Sequence, residues 1–253
     1  MTSIVIIPAR YESTRFPGKP LYLLRGVPII QHVYENAKRA RRADDVIIAT
    51  DSETIRERVS TFGGKAVMTD KRHLSGTDRI AEVAASLDSD IIVNVQADEP
   101  LIRPEMIDDV IDVLNDQRAS IGTLIKRIED PQEIVNPNVV KVVFDKEWFA
   151  LYFSRAPIPF QRDEWKNIYE IQEPKSKNRN FYKHIGIYSY RRAILLSLAS
   201  MEQTGLEKRE KLEQLRALEY GMRIKLKETF FDTYGIDTPE DLERVEKCLS
   251  ISS

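Results

Sequence analysis

The sequence predicts an α/β fold: a doubly wound, mainly parallel sheet with a smaller, mixed β-rich lobe. Three observations carry this. Apolar runs without polar alternation, Ile4 to Ile7, Val46 to Ala49 and Ile91 to Val95, are what strands covered on both faces require. Segments of helical periodicity separate them, and a β-α-β-α-β run winds right-handedly with its strand ends gathered on one side. Charged residues follow those strand ends directly, where open α/β sheets bind their ligands.

Each element has its own warrant. After Ile4 to Ile7, Pro8 has no N–H and ends the ladder. The loop behind it, A-R-Y-E-S-T-R-F-P-G-K-P, holds three cations, Arg10, Arg15 and Lys19, two hydroxyls, Ser13 and Thr14, and Gly18. It is a polyanion site in outline, yet it matches neither a Walker loop nor a dinucleotide fingerprint, because it has a single glycine. Pro28 opens a helix with Ile29, Ile30, Val33, Ala37 and Ala40 on one face and cations at its carboxyl end. A short helix from Ser52 stops at Gly63-Gly64, and Lys65 to Thr69 read as an edge strand.

In H-L-S-G-T-D-R, Ser75 or Thr77 can cap a helix carrying Ile80, Val83 and Ala84; a cap alone accounts for them, and a ligand at the helix amino terminus beside Gly76 and Arg79 is the functional alternative. Q-A-D-E-P stands at the end of the Ile91 to Val95 strand. Two adjacent carboxylates there, Asp98 and Glu99, are costly without a cation, and hard oxygen ligands suit Mg²⁺. Asp98 is assigned to metal, and Glu99 to a cap for the helix Pro104 to Asn115. Ile121 to Arg127 read as a strand, E-D-P-Q-E-I-V-N-P-N as a polar excursion, and the stretch from Val139 to Ser154 as a hairpin turning at Asp145 to Glu147. Arg155 follows it before two prolines, where a guanidinium can take a carboxylate bidentately.

Residues 163–180 lack periodicity and read as a loop. Beyond it, alternation puts Tyr182, His184, Gly186, Tyr188 and Tyr190 on one side of a strand, a polar and aromatic face suited to sugar hydroxyls. A helix from Arg191 to Met201 precedes a second one closed by Gly221, on which Glu210 and Gln214 lie one turn apart as either a solvated face or a ligand rim. After the strand R-I-K-L-K-E-T-F-F, Thr238 caps the last helix with Pro239 at its first position and Asp241 at its third. The cap does not account for Asp237, which lies just before it, can point back to the strand ends and is taken as the second metal carboxylate.

Composition bounds the function. With 42% hydrophobic and 31% charged residues the chain can build a soluble core. Its 38 Lys+Arg nearly cancel 40 Asp+Glu, so no bulk field recruits nucleic acid or an anionic membrane. The single Cys248 fits a reducing compartment, and neither a signal peptide nor a bilayer-length apolar run is evident, so a cytoplasmic protein is expected. No linker divides the 253 residues, read as one domain with a nucleotide-binding half over 1–125 and a sugar-binding and dimerisation half over 126–235.

The phosphate loop, S-G-T-D-R, Q-A-D-E-P, A-L-Y-F-S-R-A-P-I-P, K-H-I-G-I-Y, L-E-Q-L-R-A-L-E and I-D-T-P-E-D-L together resemble the sugar-activating cytidylyltransferases, in the branch that works on 3-deoxy-manno-octulosonate (Kdo). The resemblance implies a nucleotide-diphospho-sugar transferase-like fold and an enzyme, a homodimer working with Mg²⁺, that couples CTP to Kdo for lipopolysaccharide assembly, giving CMP-Kdo and pyrophosphate. By matching positions, Ala9, Arg10, Ser13, Arg15, Lys19, Ser75, Gly76, Arg79 and Gln96 would serve the nucleotide. Asp98 and Asp237 would hold the metal and, with Lys19, carry the catalysis, and Arg155, His184, Tyr188, Glu210 and Gln214 would bind the sugar. The motif is usually Q-G-D-[EQ]-P, so Ala97 departs from it and requires a negative φ. The segment 163–180 is longer than the family's. A modified Kdo such as an 8-amino form is the alternative substrate, and a nucleotide-binding protein without chemistry is the alternative of another class.

Overall fold

The structure, a computed structural model, describes residues 1–12, 16–73, 75–162, 165 and 180–251. In chain order the first half runs β1 (Ser3–Ala9), a ribbon of β2 (Leu23–Leu24) and β3 (Val27–Pro28), α1 (Ile29–Lys38), β4 (Asp45–Thr50), α2 (Glu53–Thr61), β5 (Ala66–Met68), α3 (Gly76–Ala85) and β6 (Ile91–Asn94). The second half runs α4 (Pro104–Asp112), β7 (Ile121–Arg127), α5 (Pro131–Val135), β8 (Lys141–Phe144), β9 (Ala150–Ser154), β10 (Tyr182–Arg191), α6 (Arg192–Ser200), α7 (Gly205–Glu210), α8 (Gln214–Glu219), β11 (Ile224–Glu228) and α9 (Pro239–Ile251).

The main sheet has the order β11-β7-β10-β6-β1-β4-β5, with the β8–β9 hairpin attached to β10. β1 pairs in parallel with β4 on one side and with β6 on the other, so the winding reverses at β1 and opens a crevice at its carboxyl end. β10 runs antiparallel to β6 and β7, while β11 returns to the parallel sense beside β7. Both faces are covered, as the unbroken apolar runs require. Val5, Ile7, Val93 and Leu124 pack under α1, α2 and α4, and Ile4, Ile6, Ile92 and Ile121 pack under α3, α6 and α8. A third, small cluster joins Phe16, Leu24, Ile29, Ile236 and Val245.

Three elements differ from the sequence reading. The excursion after β7 contains α5, because Asp130 caps it by accepting the Gln132 N–H and Pro131 opens its first turn. The second helix expected near the carboxyl end is two: Lys211 adopts a left-handed conformation (φ 55°) and breaks α7 from α8. Glu99 caps nothing, since α4 starts at Pro104 with no side-chain cap. The face shared by His184, Tyr188 and Tyr190 is as expected; they oppose Ile125, Thr123 and Ile121 of β7, with an irregularity between Ile185 and Tyr188. Among the described residues no helix is long and apolar enough to cross a membrane.

Candidate functional site

A cleft of about 280 Å³ opens where β1 and β6 end and α3 begins. Arg10, Lys19, His73, Ser75, Gly76, Arg79, Gln96, Asp98 and Asp237 line it, with Pro8, Ala9, Pro20 and Ala97. Its floor follows from the turn Phe16-Pro17-Gly18-Lys19, closed by the Lys19 N–H to the Phe16 carbonyl at 3.2 Å. Proline in the second place and a left-handed residue in the third (Gly18, φ 70°, ψ 10°) make a type II turn. Phe16 seats the turn in the small third cluster, and Lys19 is thrown toward β6.

There the Lys19 ammonium donates to Asp98 Oδ2 at 2.5 Å and to Asp237 Oδ1 at 3.2 Å. Asp237 owes its position to its neighbours. The Ile236 N–H donates to the Asp98 carbonyl at 2.9 Å, and the Ile236 side chain is sealed in the same cluster as Phe16. Asp241 and Thr238 form the cap at α9, leaving the Asp237 carboxylate to the cleft. The two carboxylates expected to hold a metal thus converge on a single cation. Their hard oxygens fit Mg²⁺, with water or phosphate as further ligands, since no group of three or more His, Cys, Asp or Glu among the described residues forms a metal cluster.

On the opposite wall, Ser75 caps α3: its Oγ accepts the Asp78 N–H, and Asp78 accepts the Ser75 N–H. A side chain at Gly76 would press on Pro8 at 3.3 Å, so glycine lets α3 approach β1 closely. Arg79 is buried and donates to Thr69 Oγ1 at 2.5 Å and Asp51 Oδ2 at 2.7 Å. Gln96 reaches Asn94 at 3.4 Å. Ala97 is not among the positive-φ residues, which besides glycines are Arg25, Trp148 and Lys211 among the described residues; its methyl is accommodated. Ser13 and Arg15 lie outside the described residues, as does nearly all of 163–180.

A smaller cavity of about 170 Å³ shares Gly76 and Gln96 with the cleft and continues it under β10, where Tyr188, Tyr190, Glu213 and Gln214 meet. Tyr188 and Gln214 of the expected sugar residues are here. His184 is not: it is enclosed, its Nε2 lies 3.0 Å from Thr123 Oγ1, and burial lowers its pKa to about 3, so it is a neutral core residue. Arg155 and Glu210 also lie off both cavities. The Arg155 guanidinium donates to the carbonyls of Glu210 (2.7 Å), Pro137 (2.8 Å) and Lys211 (3.5 Å), so backbone takes most of its fork in this conformation. Glu210 accepts from Ser154 Oγ at 2.7 Å and the Arg155 N–H at 3.0 Å.

Sequence reasoning missed three residues and misread a fourth, Glu99. His73 lines the cleft with its Nε2 2.5 Å from Glu82; its place two residues before S-G-T-D-R was the available signal. Asp51 closes β4 and neutralises Arg79, a strand-end carboxylate like Asp98. Glu213 accepts from Thr77 Oγ1, and burial raises its pKa; as Gln214's neighbour it was readable only once the helix break was known. Glu99 has Oε2 without a partner, and burial, then the Asp98 charge, push its carboxyl up to about 8.

The chain matches the cytidylyltransferase family over residues 4–224. The 3-deoxy-manno-octulosonate cytidylyltransferase of Thermodesulfovibrio yellowstonii is 53% identical across the full length of both chains. That of Geotalea uraniireducens is 54% identical, over 97% of this chain and 98% of the relative. A solved structure of CMP:2-keto-3-deoxy-manno-octonic acid synthetase complexed with CTP superposes with a TM-score of 0.90 at 39% identity, covering both chains completely.

Proposed function

The chain belongs to the cytidylyltransferase family, in its 3-deoxy-manno-octulosonate branch, and from that premise we propose that it couples CTP to Kdo, giving CMP-Kdo and pyrophosphate. The observation that carries this reading is the convergence of Asp98 and Asp237 on Lys19 beside the amino terminus of α3. CTP brings about four negative charges and the sugar a carboxylate, so repulsion must be neutralised before a bond forms. Arg10 and Lys19 answer the phosphates, joined by Arg15 and Ser13 on the strength of the resemblance; the Ser75-Gly76 turn completes the nucleotide seat with Ala9, Arg79 and Gln96, and the contiguous cavity takes the sugar beside Tyr188 and Gln214.

The anomeric hydroxyl, losing its proton to solvent, attacks the α-phosphorus in line; the new O–P bond forms as the bond to the departing pyrophosphate breaks, with no covalent enzyme intermediate. Magnesium held by Asp98 and Asp237 would supply charge neutralisation and a lowered pKa for a bound hydroxyl. Arg155 and Glu210, assigned to the sugar by resemblance, act in this conformation by shaping the lobe behind Gln214, and His184 by supporting Tyr188, whose ring centroid is 5.2 Å away. A homodimer in the cytoplasm, feeding lipopolysaccharide assembly, completes the proposal. A nucleotide-binding protein without chemistry would have no use for two carboxylates on one cation.

The test is pyrophosphate release from CTP and Mg²⁺ with a panel of keto-sugar acids. Release with Kdo is expected; release only with an 8-amino form would reassign the substrate, and none with any sugar would leave the binding protein. A CTP chiral at the α-phosphorus should give inverted product, and retention would refute the single displacement.

A further inference from the structure

Asp237 reaches the cleft on an arm, residues 229–238, that joins β11 to α9, and the two ends of this arm are held by different forces. Near Asp237 the hold is apolar, through Ile236 and the half-buried Tyr234. Farther back it is ionic. The register of β10 on β7 sets Lys183 directly opposite Lys126, and like charges so placed destabilise a sheet. Neither ammonium is free in water, for the two side chains are 11% and 17% exposed.

Asp232, from the arm, sits between them: Lys126 Nζ donates to its Oδ2 at 2.5 Å, and Lys183 Nζ lies 3.5 Å from its Oδ1 while donating to Glu133 at 2.6 Å. Phe230, two residues before Asp232, is 85% exposed, so this part of the arm is held only lightly, by the Thr229 N–H to the Ile125 carbonyl at 2.8 Å and by Arg103 over the Phe231 ring. Lys183 also stands on the strand that carries Tyr188 into the smaller cavity.

We infer that Asp232 is a positioning residue: by bridging the cross-strand lysines it latches the arm to β7 and β10 and so sets how Asp237 meets Asp98. The inference rests on the reading of Asp237 as a working carboxylate. It makes the arm's seat depend on the strand that lines the sugar side, so the two cavities share one mechanical element.

Asp232→Asn keeps the shape and removes the charge. A displaced carboxylate in a positioned site is expensive, so kcat should fall about tenfold or more with KM for CTP within about twofold. Mn²⁺ binding in the presence of CTP and absence of sugar, followed by the ion's paramagnetic resonance, should weaken by a comparable factor. The thermal midpoint should fall as well, because the two cross-strand ammoniums lose the charge between them, so rate and Mn²⁺ affinity are read well below it. Asp232→Glu should recover most of both readouts. Lys126→Gln breaks the same latch from the sheet side and should reproduce the loss, standing in if the first variant does not fold. Unchanged kcat and Mn²⁺ affinity in these variants, with Asp237→Asn inactive, would overturn this inference alone; a fully active Asp237→Asn would overturn the reading beneath it.

Discussion

The two cavities share a wall, yet the polar side chains around them are committed differently. In the larger cleft Lys19, Asp98 and Asp237 satisfy one another, side chain to side chain. Behind the smaller one, Arg155 and Lys141 are bound to backbone: fully buried Lys141 donates to the carbonyls of Asn136, Val139 and Arg155, and burial followed by the Arg155 charge lowers its pKa to about 8. The difference matters for chemistry. A side-chain cluster can exchange an internal partner for a phosphate or a metal without moving the chain. A cation that holds loop carbonyls cannot leave without releasing the loop, and an orphaned buried carbonyl is costly. The first region is built to bind, the second to hold its neighbour in shape.

The sharpest way to break this comparison is at the carboxylates. Asp98→Asn or Asp237→Asn should lower the rate of pyrophosphate release by about 10³-fold, as loss of a preorganised charge does, while circular dichroism and thermal midpoint stay near wild type. Activity within tenfold of wild type would move the chemistry elsewhere. Next comes Arg155→Lys, which keeps the charge and loses the fork. It should cost about 1–3 kcal/mol in urea unfolding through the freed carbonyls of Glu210, Pro137 and Lys211, with CTP affinity unaltered. Full stability with a raised KM for the sugar would show the fork serving substrate, and the distinction between the regions would fall.

His184 sharpens the same point through pH. Its folded pKa, about 3, lies below its ordinary 6.5, so the unfolded chain binds the extra proton first. The stability it confers is whole above pH 6.5 and drains as pH falls toward 3, by up to about 1.4 kcal/mol per pH unit. Urea midpoints measured from pH 7 to 4 should flatten in His184→Asn, and the pH–rate profile should lack an ionisation from this ring. The smallest effect is expected at Ala97→Gly. The backbone there needs no glycine, so rates should match wild type and stability should fall by less than about 1 kcal/mol from added chain entropy.

What could be read beforehand divides along the same line. Strands β1, β4 and β6 were legible because burial on both faces leaves an unbroken apolar run. Asp98, Asp237, Ser75 and Arg79 were legible as places because they stand at strand ends and a helix start, positions fixed by topology alone. Arg155 and Glu210 were visible as residues but not by their contacts, since the carbonyls that fill the Arg155 fork come from Pro137 and Lys211, segments whose approach no local pattern encodes. The helix break had no signal, because lysine seldom takes a left-handed conformation. Asp51 and His73 were hidden because each acts through a partner, Arg79 or Glu82, brought near by folding.

Phe16 and Ile236 close on each other in one small apolar cluster with Val245 of α9. Every strand of the sheet precedes Asp237 in the chain. A ribosome therefore releases the lysine's loop first, the whole sheet next, and the counter-charge and the packing that seat the loop last. A nascent chain can shape its sheet while it still lacks a working nucleotide seat. The pair of carboxylates on Lys19 is completed only once residues 236–245 have joined the fold.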